Sequence, residues 1–307
     1  MRVAIIGQQD FGKAVLEAFL KRGDEVAGVF VSPEKPGARP DPLRVAAEAK
    51  GVKLFQIAKY GEPAALAALA ELKADLGIMA YVLAFVPQSF TTIPKHGTIQ
   101  YHPSLLPLHR GPSSINWPII KGFAKTGLSI FRPSEGLDEG PIVLQKEVAI
   151  GPDDTLGSLY FDKLFPMGVA AMLEAADLVV AGRAKERVQD ESQATYEGWV
   201  REAEARIDWA HPIDQSYNLI RGCNPQPGAW TTLAGKKLYL FEAQKRIART
   251  FGEVRGKKIG EVVATSAKSF TVHGQGGFVD VLRCRFEDGK KIAASEAGIA
   301  EGALLGT

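Results

Sequence analysis

Short apolar runs alternating with helix-period stretches fill the first half of the chain, and this restricts the architecture more than any other feature. The runs are RVAII (2–6), EVAGVFV (25–31), KLFQ (53–56), DLGIMAY (75–81) and HGTIQYH (96–102). Between them lie a segment with Phe11, Val15, Phe19 and Leu20 on one helical side, and Ala-rich stretches at 42–50 and 62–73. Strands separated by helices require right-handed crossovers, which build a mostly parallel sheet covered on both faces. The expected class is α/β and Rossmann-like. GLSIF (127–131) and PIVLQKEVAI (141–150) add two strands, and 155–182 reads as a long amphipathic helix with a kink expected at Pro166.

Past residue 182 the rhythm changes. The polar stretch 183–204 lacks a core pattern and reads as a linker, 211–223 suits one helix, and short strands with Gly-containing turns follow: AWTTL, KKLYLFEAQ, KIGEVVAT, SFTVHG and GFVDVLRCRF. That series predicts a small β-barrel of the oligonucleotide-binding (OB-like) type. The expected domains are 1–204, with the linker, and 205–307, and a chain of 307 residues with 46% hydrophobic composition is long enough to give each a core.

Charge is divided the same way. The net charge is +2, yet residues 205–307 carry 15 Lys/Arg against 10 Asp/Glu, with much of the excess in KRIARTFGEVRGKK (245–258). That segment is either a site for an anionic partner such as RNA or a polyglutamate tail, or a solvated loop. Cys223 and Cys284 are far apart and form no CxxC, so neither a disulfide framework nor a zinc site is implied. No apolar run approaches a membrane span and the N-terminus lacks a signal-peptide pattern, so the expected location is the cytoplasm, with no membrane or DNA partner.

GQQDFG (7–12) follows the first strand, but it lacks the middle glycine of a dinucleotide loop, and the second strand ends GVFVSPEK without an acidic residue at its tip. A tight turn into a helix accounts for it. The stretch HGTIQYHPSLLPLHRGPSSINWP (96–118) asks for more. Gln100 and His102 emerge on one face of a strand with Tyr101 opposite, at the end where open parallel sheets hold ligands. Pro103 ends the ladder, and RGPSSINW is expected to enter a helix with a Ser cap. In SEGLDEGPIVLQ (134–145), glycines bracket Asp138, which either orients a histidine or only stabilises its turn.

YHPSLLPLHRG (101–111) and GLDEGPIV (136–143) resemble the folate-dependent formyltransferases, a family that includes methionyl-tRNA formyltransferase. The similarity runs on through ATYEGWV, RIDW and IRGCNPQPGAW, while IGQQDFG, KHG, SSINW and LFPMG are similar to the hydrolase domain of 10-formyltetrahydrofolate dehydrogenase. The resemblance implies the formyltransferase fold, 10-formyltetrahydrofolate as formyl donor, no metal, and an Asn-His-Asp triad around the formyl carbon. His102 and Asp138 match its last two positions. Gln100 stands where Asn is expected, and its extra methylene displaces the amide by about 1.5 Å; the position is apolar in the hydrolase domain. Ala84, Phe85 and Val86 match the wall of the folate pocket, although on residue pattern alone Phe85 and Val86 serve equally as core residues at a helix start. The resemblance also implies that Ser104, Leu105, Leu106 and Pro107 line the donor's other side.

Three activities remain open: transfer of the formyl group to water or an amine, a sugar amine included; transfer to methionyl-tRNA, which the basic C-terminal segment favours; and binding of a nucleotide or RNA without catalysis. The imidazole and carboxylate in separate units argue against the last, since a binder needs no proton relay.

Overall fold

A computed structural model describes residues 1–306. Contacts divide the chain into two units, one of residues 1–114, 127–148 and 163–197, the other of 115–126, 149–162 and 198–307.

The first unit is built on a seven-stranded sheet of order β3-β2-β1-β4-β5-β6-β7. Its strands are β1 (Arg2–Gly7), β2 (Glu25–Val31), β3 (Leu54–Gln56), β4 (Leu76–Ala80), β5 (Thr98–His102), β6 (Lys125–Phe131) and β7 (Ile142–Ala149). The first five run parallel and β6 runs antiparallel to β5, as the alternating pattern requires of a mostly parallel sheet. Helices α1 (Gln9–Arg22), α2 (Pro42–Ala49), α3 (Pro63–Glu71) and α4 (Gln88–Thr91) connect the strands. Residues of α1 and α2 bury one face with Ile5, Ile78 and Ile99, while Leu69 of α3 and Phe90 of α4 bury the other with Ile6 and Met79. The order reverses direction between β1 and β4, the switch point at which such sheets bind ligands beyond their C-terminal strand ends.

Segment 155–182 is not one helix. Three residues, α6 (Leu156–Ser158), lead into a π-helical stretch at Leu159–Leu164, and the long helix (α7, Phe165–Val180) starts there, with Pro166 at its first turn, where a missing N–H costs nothing. No Ser cap starts the helix after RGPSS: α5 spans Asn116–Ile120 with Ile115 at its N-cap, and Ser113 and Ser114 are buried. The stretch 183–204, expected as a linker, is packed. Arg187 pairs with Ile142 and Tyr196 with Arg110 in the first unit, while Val200 joins the core of the second.

The second unit holds α8 (Ile213–Gly222) and α9 (Phe251–Val254). Its strands are β8 (Ala229–Leu233), β9 (Lys236–Leu240), β10 (Ala243–Ile247), β11 (Val262–Thr265), β12 (Phe270–Gly274), β13 (Gly277–Val281), β14 (Arg283–Phe286) and β15 (Ile292–Ala293). They form two antiparallel sheets, β10-β13-β12-β11 and β15-β14-β9-β8. KKLYLFEAQ and GFVDVLRCRF, each expected as one strand, break at Phe241-Glu242 and at Leu282, so that each passes from one sheet to the other. Leu305 bridges to Leu233 and Leu304 to Glu261, which ties β8 to β11 and closes the sheets around one core.

Candidate active site

β5 delivers two side chains to one face. Tyr101 points the other way and stacks on Phe11 with ring centroids 4.2 Å apart, so Gln100 and His102 face away from α1. The loop after His102 then folds back. The Ser104 amide donates to the His102 carbonyl at 2.9 Å, Leu106–Pro107 is cis, and the Ser104 hydroxyl donates to the Leu108 carbonyl at 2.6 Å. His109 adopts the left-handed region at φ 56°, which turns its carbonyl onto His102 Nε2 at 2.9 Å.

A carbonyl oxygen only accepts, so Nε2 of His102 carries the proton in this contact. Its other nitrogen, Nδ1, faces Asp138 Oδ2 at 3.6 Å, beyond hydrogen-bond distance. Both residues are buried, at 6% and 7% exposure. Asp138 Oδ2 also accepts the Gly111 amide at 2.9 Å. That amide can approach because residue 111 is glycine at φ 107°, where a Cβ would lie 2.3 Å from the Glu197 carbonyl oxygen. The two residues separated by 36 positions therefore meet in one buried site.

The remaining expected residues are placed as follows. Gln100 is half-buried on the same face, two positions before His102, with its backbone in register with Met79 and Phe131. In the loop after β4, Val86 joins the core with Met79 and Phe90, Ala84 is half-buried, and Phe85 is 66% exposed, so the reading of Phe85 as a core residue does not hold. The Gln88 amide donates to Glu135, which brings this loop to the one carrying Asp138. Leu106 packs with Phe131 and Ile142, its amide donates to Ser129 and its carbonyl accepts from Gln145. Ser104 is fully buried with amide, hydroxyl and carbonyl all engaged, which leaves the half-buried Leu105 and Pro107 as the open part of that loop.

The turn after β1 is occupied by the protein itself. Asp41 accepts the Gln9 amide on both oxygens, at 3.0 and 2.9 Å, and the Leu43 amide at 2.9 Å, so its carboxylate caps α2 and fills the start of α1. A helix N-terminus at a switch point is where a phosphate would be held, and here a carboxylate already has that position. The reading of GQQDFG as a turn rather than a nucleotide loop agrees with this.

Residue pattern did not reveal Arg110, Gln189, Glu191 and Tyr196. Arg110 has no exposed surface; its guanidinium donates to Gln189 Oε1 at 2.8 and 3.2 Å, to both oxygens of Glu191 at 2.6 and 2.9 Å, and to the Tyr196 hydroxyl. These bonds hold Arg110 firmly charged and the Glu191 carboxyl below its ordinary range. The motif HRG marked the loop, but its partners lie 79 to 86 residues away in a segment without periodicity. Among the described residues no group of three or more His, Cys, Asp or Glu could hold a metal ion, and no helix is long and apolar enough to cross a membrane.

A mostly parallel sheet with a buried imidazole and carboxylate beside the C-terminal end of β5, followed by an antiparallel β domain, places the chain among α/β proteins with a loop-built site. Residues 1–175 match the formyl transferase family and residues 200–299 the formyl transferase C-terminal domain, and the chain belongs to that family. The cytosolic 10-formyltetrahydrofolate dehydrogenase of Mus musculus is 38% identical over 315 residues, covering 99% of this chain and 35% of the relative, so the chain spans about a third of that protein's length. The methionyl-tRNA formyltransferase of Geobacter metallireducens is 32% identical over 96% of this chain and 94% of its own length. Among solved structures, HypX from Aquifex aeolicus in complex with tetrahydrofolic acid shares the fold, with a TM-score of 0.68 and 20% identity over 98% of this chain and 48% of that one.

Proposed function

We propose that the chain removes the formyl group of 10-formyltetrahydrofolate and passes it to water or a small amine, releasing tetrahydrofolate. The observation that carries this reading is the buried His102–Asp138 pair at the C-terminal edge of the sheet, 3.6 Å apart. In this reading Asp138 takes the proton of the attacking water or amine as the new bond to the formyl carbon forms. The Nε2–H of His102 exchanges the His109 carbonyl for the oxygen on which charge develops, with the Gln100 amide as a second donor, and the bond to N10 breaks as Asp138 passes the proton it has taken to that nitrogen. Ala84, Phe85, Val86 and the 104–107 loop flank the donor; exposed Phe85, half-buried Leu105 and Pro107 offer apolar surface to a flat ring. Dehydrogenase relatives named for 10-formyltetrahydrofolate support the choice of donor. Asp41 at the start of α1 favours an acceptor without a phosphate there.

On this reading residues 1–204 are the catalytic domain, 205–307 an OB-like module, and the cytoplasm, where the Mus musculus relative is cytosolic, its location. A second reading takes methionyl-tRNA as acceptor. It is favoured by near-complete coverage of a methionyl-tRNA formyltransferase and by the basic segment 245–258.

The test is to incubate the protein with 10-formyltetrahydrofolate alone, with a panel of small amines including amino sugars, and with charged initiator tRNA, and to follow tetrahydrofolate. Release without tRNA, in the first or second arm, is expected; strict dependence on tRNA selects the second reading, and no release in any arm rejects both. In the active arm, His102→Ala is expected to lower kcat by about 10²- to 10³-fold, the effect typical of one oxyanion donor, while the protein stays folded.

A further inference from the structure

We propose that Gln189, oriented by Arg110, is a positioning residue that holds the Asp138 carboxylate toward His102; this rests on the reading of the pair given above. The chain of donors and acceptors leaves one arrangement. A guanidinium only donates, so Arg110 fixes the oxygen of the Gln189 amide on its own side. Nε2 must then point the other way, and it donates to the carbonyls of Asp138 at 2.8 Å and Gly140 at 2.7 Å. One buried amide thus pins both ends of the turn that carries the carboxylate.

That turn needs pinning. Asp138 sits at φ 58°, a region that a residue with a side chain seldom occupies unless its surroundings enforce it. Gly140 abuts the Arg132 carbonyl, where a Cβ would lie 1.7 Å from the oxygen. Between them, Glu139 accepts the Tyr196 hydroxyl at 2.6 Å, and Tyr196 in turn receives an Arg110 N–H. Arg110 also precedes Gly111, whose amide holds the carboxylate itself. Both the main chain and the side chain of Asp138 are therefore referred to one buried arginine and its successor.

Misplacement of a reacting group by about 1 Å costs roughly 10²-fold in rate, so loss of this clamp should be read in turnover rather than in donor binding. With the full chain, Gln189→Ala is expected to lower kcat for tetrahydrofolate release about 10- to 100-fold with KM for 10-formyltetrahydrofolate within about twofold. Gln189→Glu keeps the shape but sets a carboxylate against two carbonyls; its activity should be low at neutral pH and recover, relative to wild type, as acid returns an O–H donor. In an Asp138→Asn background, Gln189→Ala should slow the enzyme no further, because it acts through that carboxylate. The His102 ring signals in NMR spectra supply a readout independent of turnover: those of Gln189→Ala should move toward their positions in Asp138→Asn. Unchanged kcat in Gln189→Ala, or ring signals identical to wild type, overturns the proposal. A wild-type protein that releases no tetrahydrofolate counts against the functional reading alone, since the ring signals still decide the clamp. If Gln189→Ala does not fold, the isosteric Gln189→Glu carries both measurements.

Discussion

Asp41 and Asp138 are both buried carboxylates beside the C-terminal ends of strands in the first sheet, at 9% and 7% exposure, and their surroundings differ in kind. Asp41 accepts from two backbone amides, Gln9 and Leu43, so its charge is neutralised by main-chain dipoles. Asp138 accepts one amide, from Gly111, and turns the same oxygen toward an imidazole. A carboxylate fully engaged by amides stabilises a loop; one with unfilled acceptor capacity facing a histidine can move a proton. Residue type and burial do not separate the two; the partner does.

Substitutions at the two sites should therefore part company. Asp138→Asn is expected to lower kcat about 10³-fold, within the range usual for a general acid or base, while its melting temperature stays near wild type. Equal loss from Asp41→Asn would break the distinction. Gln100→Leu comes next, at about 10-fold in kcat, since a hydrogen-bond donor near the reacting oxygen is lost while His102 remains; a loss as large as that of His102→Ala would make Gln100 the principal donor. Asp41→Ala should act on stability alone, costing about 2 kcal/mol for a lost helix cap and a stranded amide, read in denaturant unfolding with turnover preserved below the transition. The smallest effect extends the comparison to an exposed carboxylate. Hydrogen bonds from Arg110 lower the Glu191 pKa below its ordinary 4.5. Its contribution is complete above the unfolded value and is lost as pH falls through the folded one. Below about pH 4.5 the wild type should lose melting temperature more steeply than Glu191→Gln.

Much of this was legible in the residues. Strand alternation alone placed Gln100 and His102 together and Tyr101 opposite, because side chains in a strand repeat every two positions. The mostly parallel sheet followed from helices between apolar runs. The breaks at Phe241-Glu242 and Leu282 were not legible, because the apolar pattern continues across them while the strand changes sheets. Nor was the packing of residues 183–197. That segment buries few apolar side chains and is held by hydrogen bonds to the loop at 107–111, through Pro107, His109 and Arg110, and such bonds leave no periodic trace.

The residue order by itself determined the layers of the first sheet, the strand that ends at His102 and the family to which the chain belongs, since these depend on local periodicity and contiguous motifs. Only the tertiary structure decided that Asp138 meets His102 while Asp41 does not, and that the distant Gln189 hydrogen-bonds the turn carrying Asp138. Those outcomes depend on the direction in which a few buried donors and acceptors point, which is set when separate segments are brought together and has no signature in spacing along the chain.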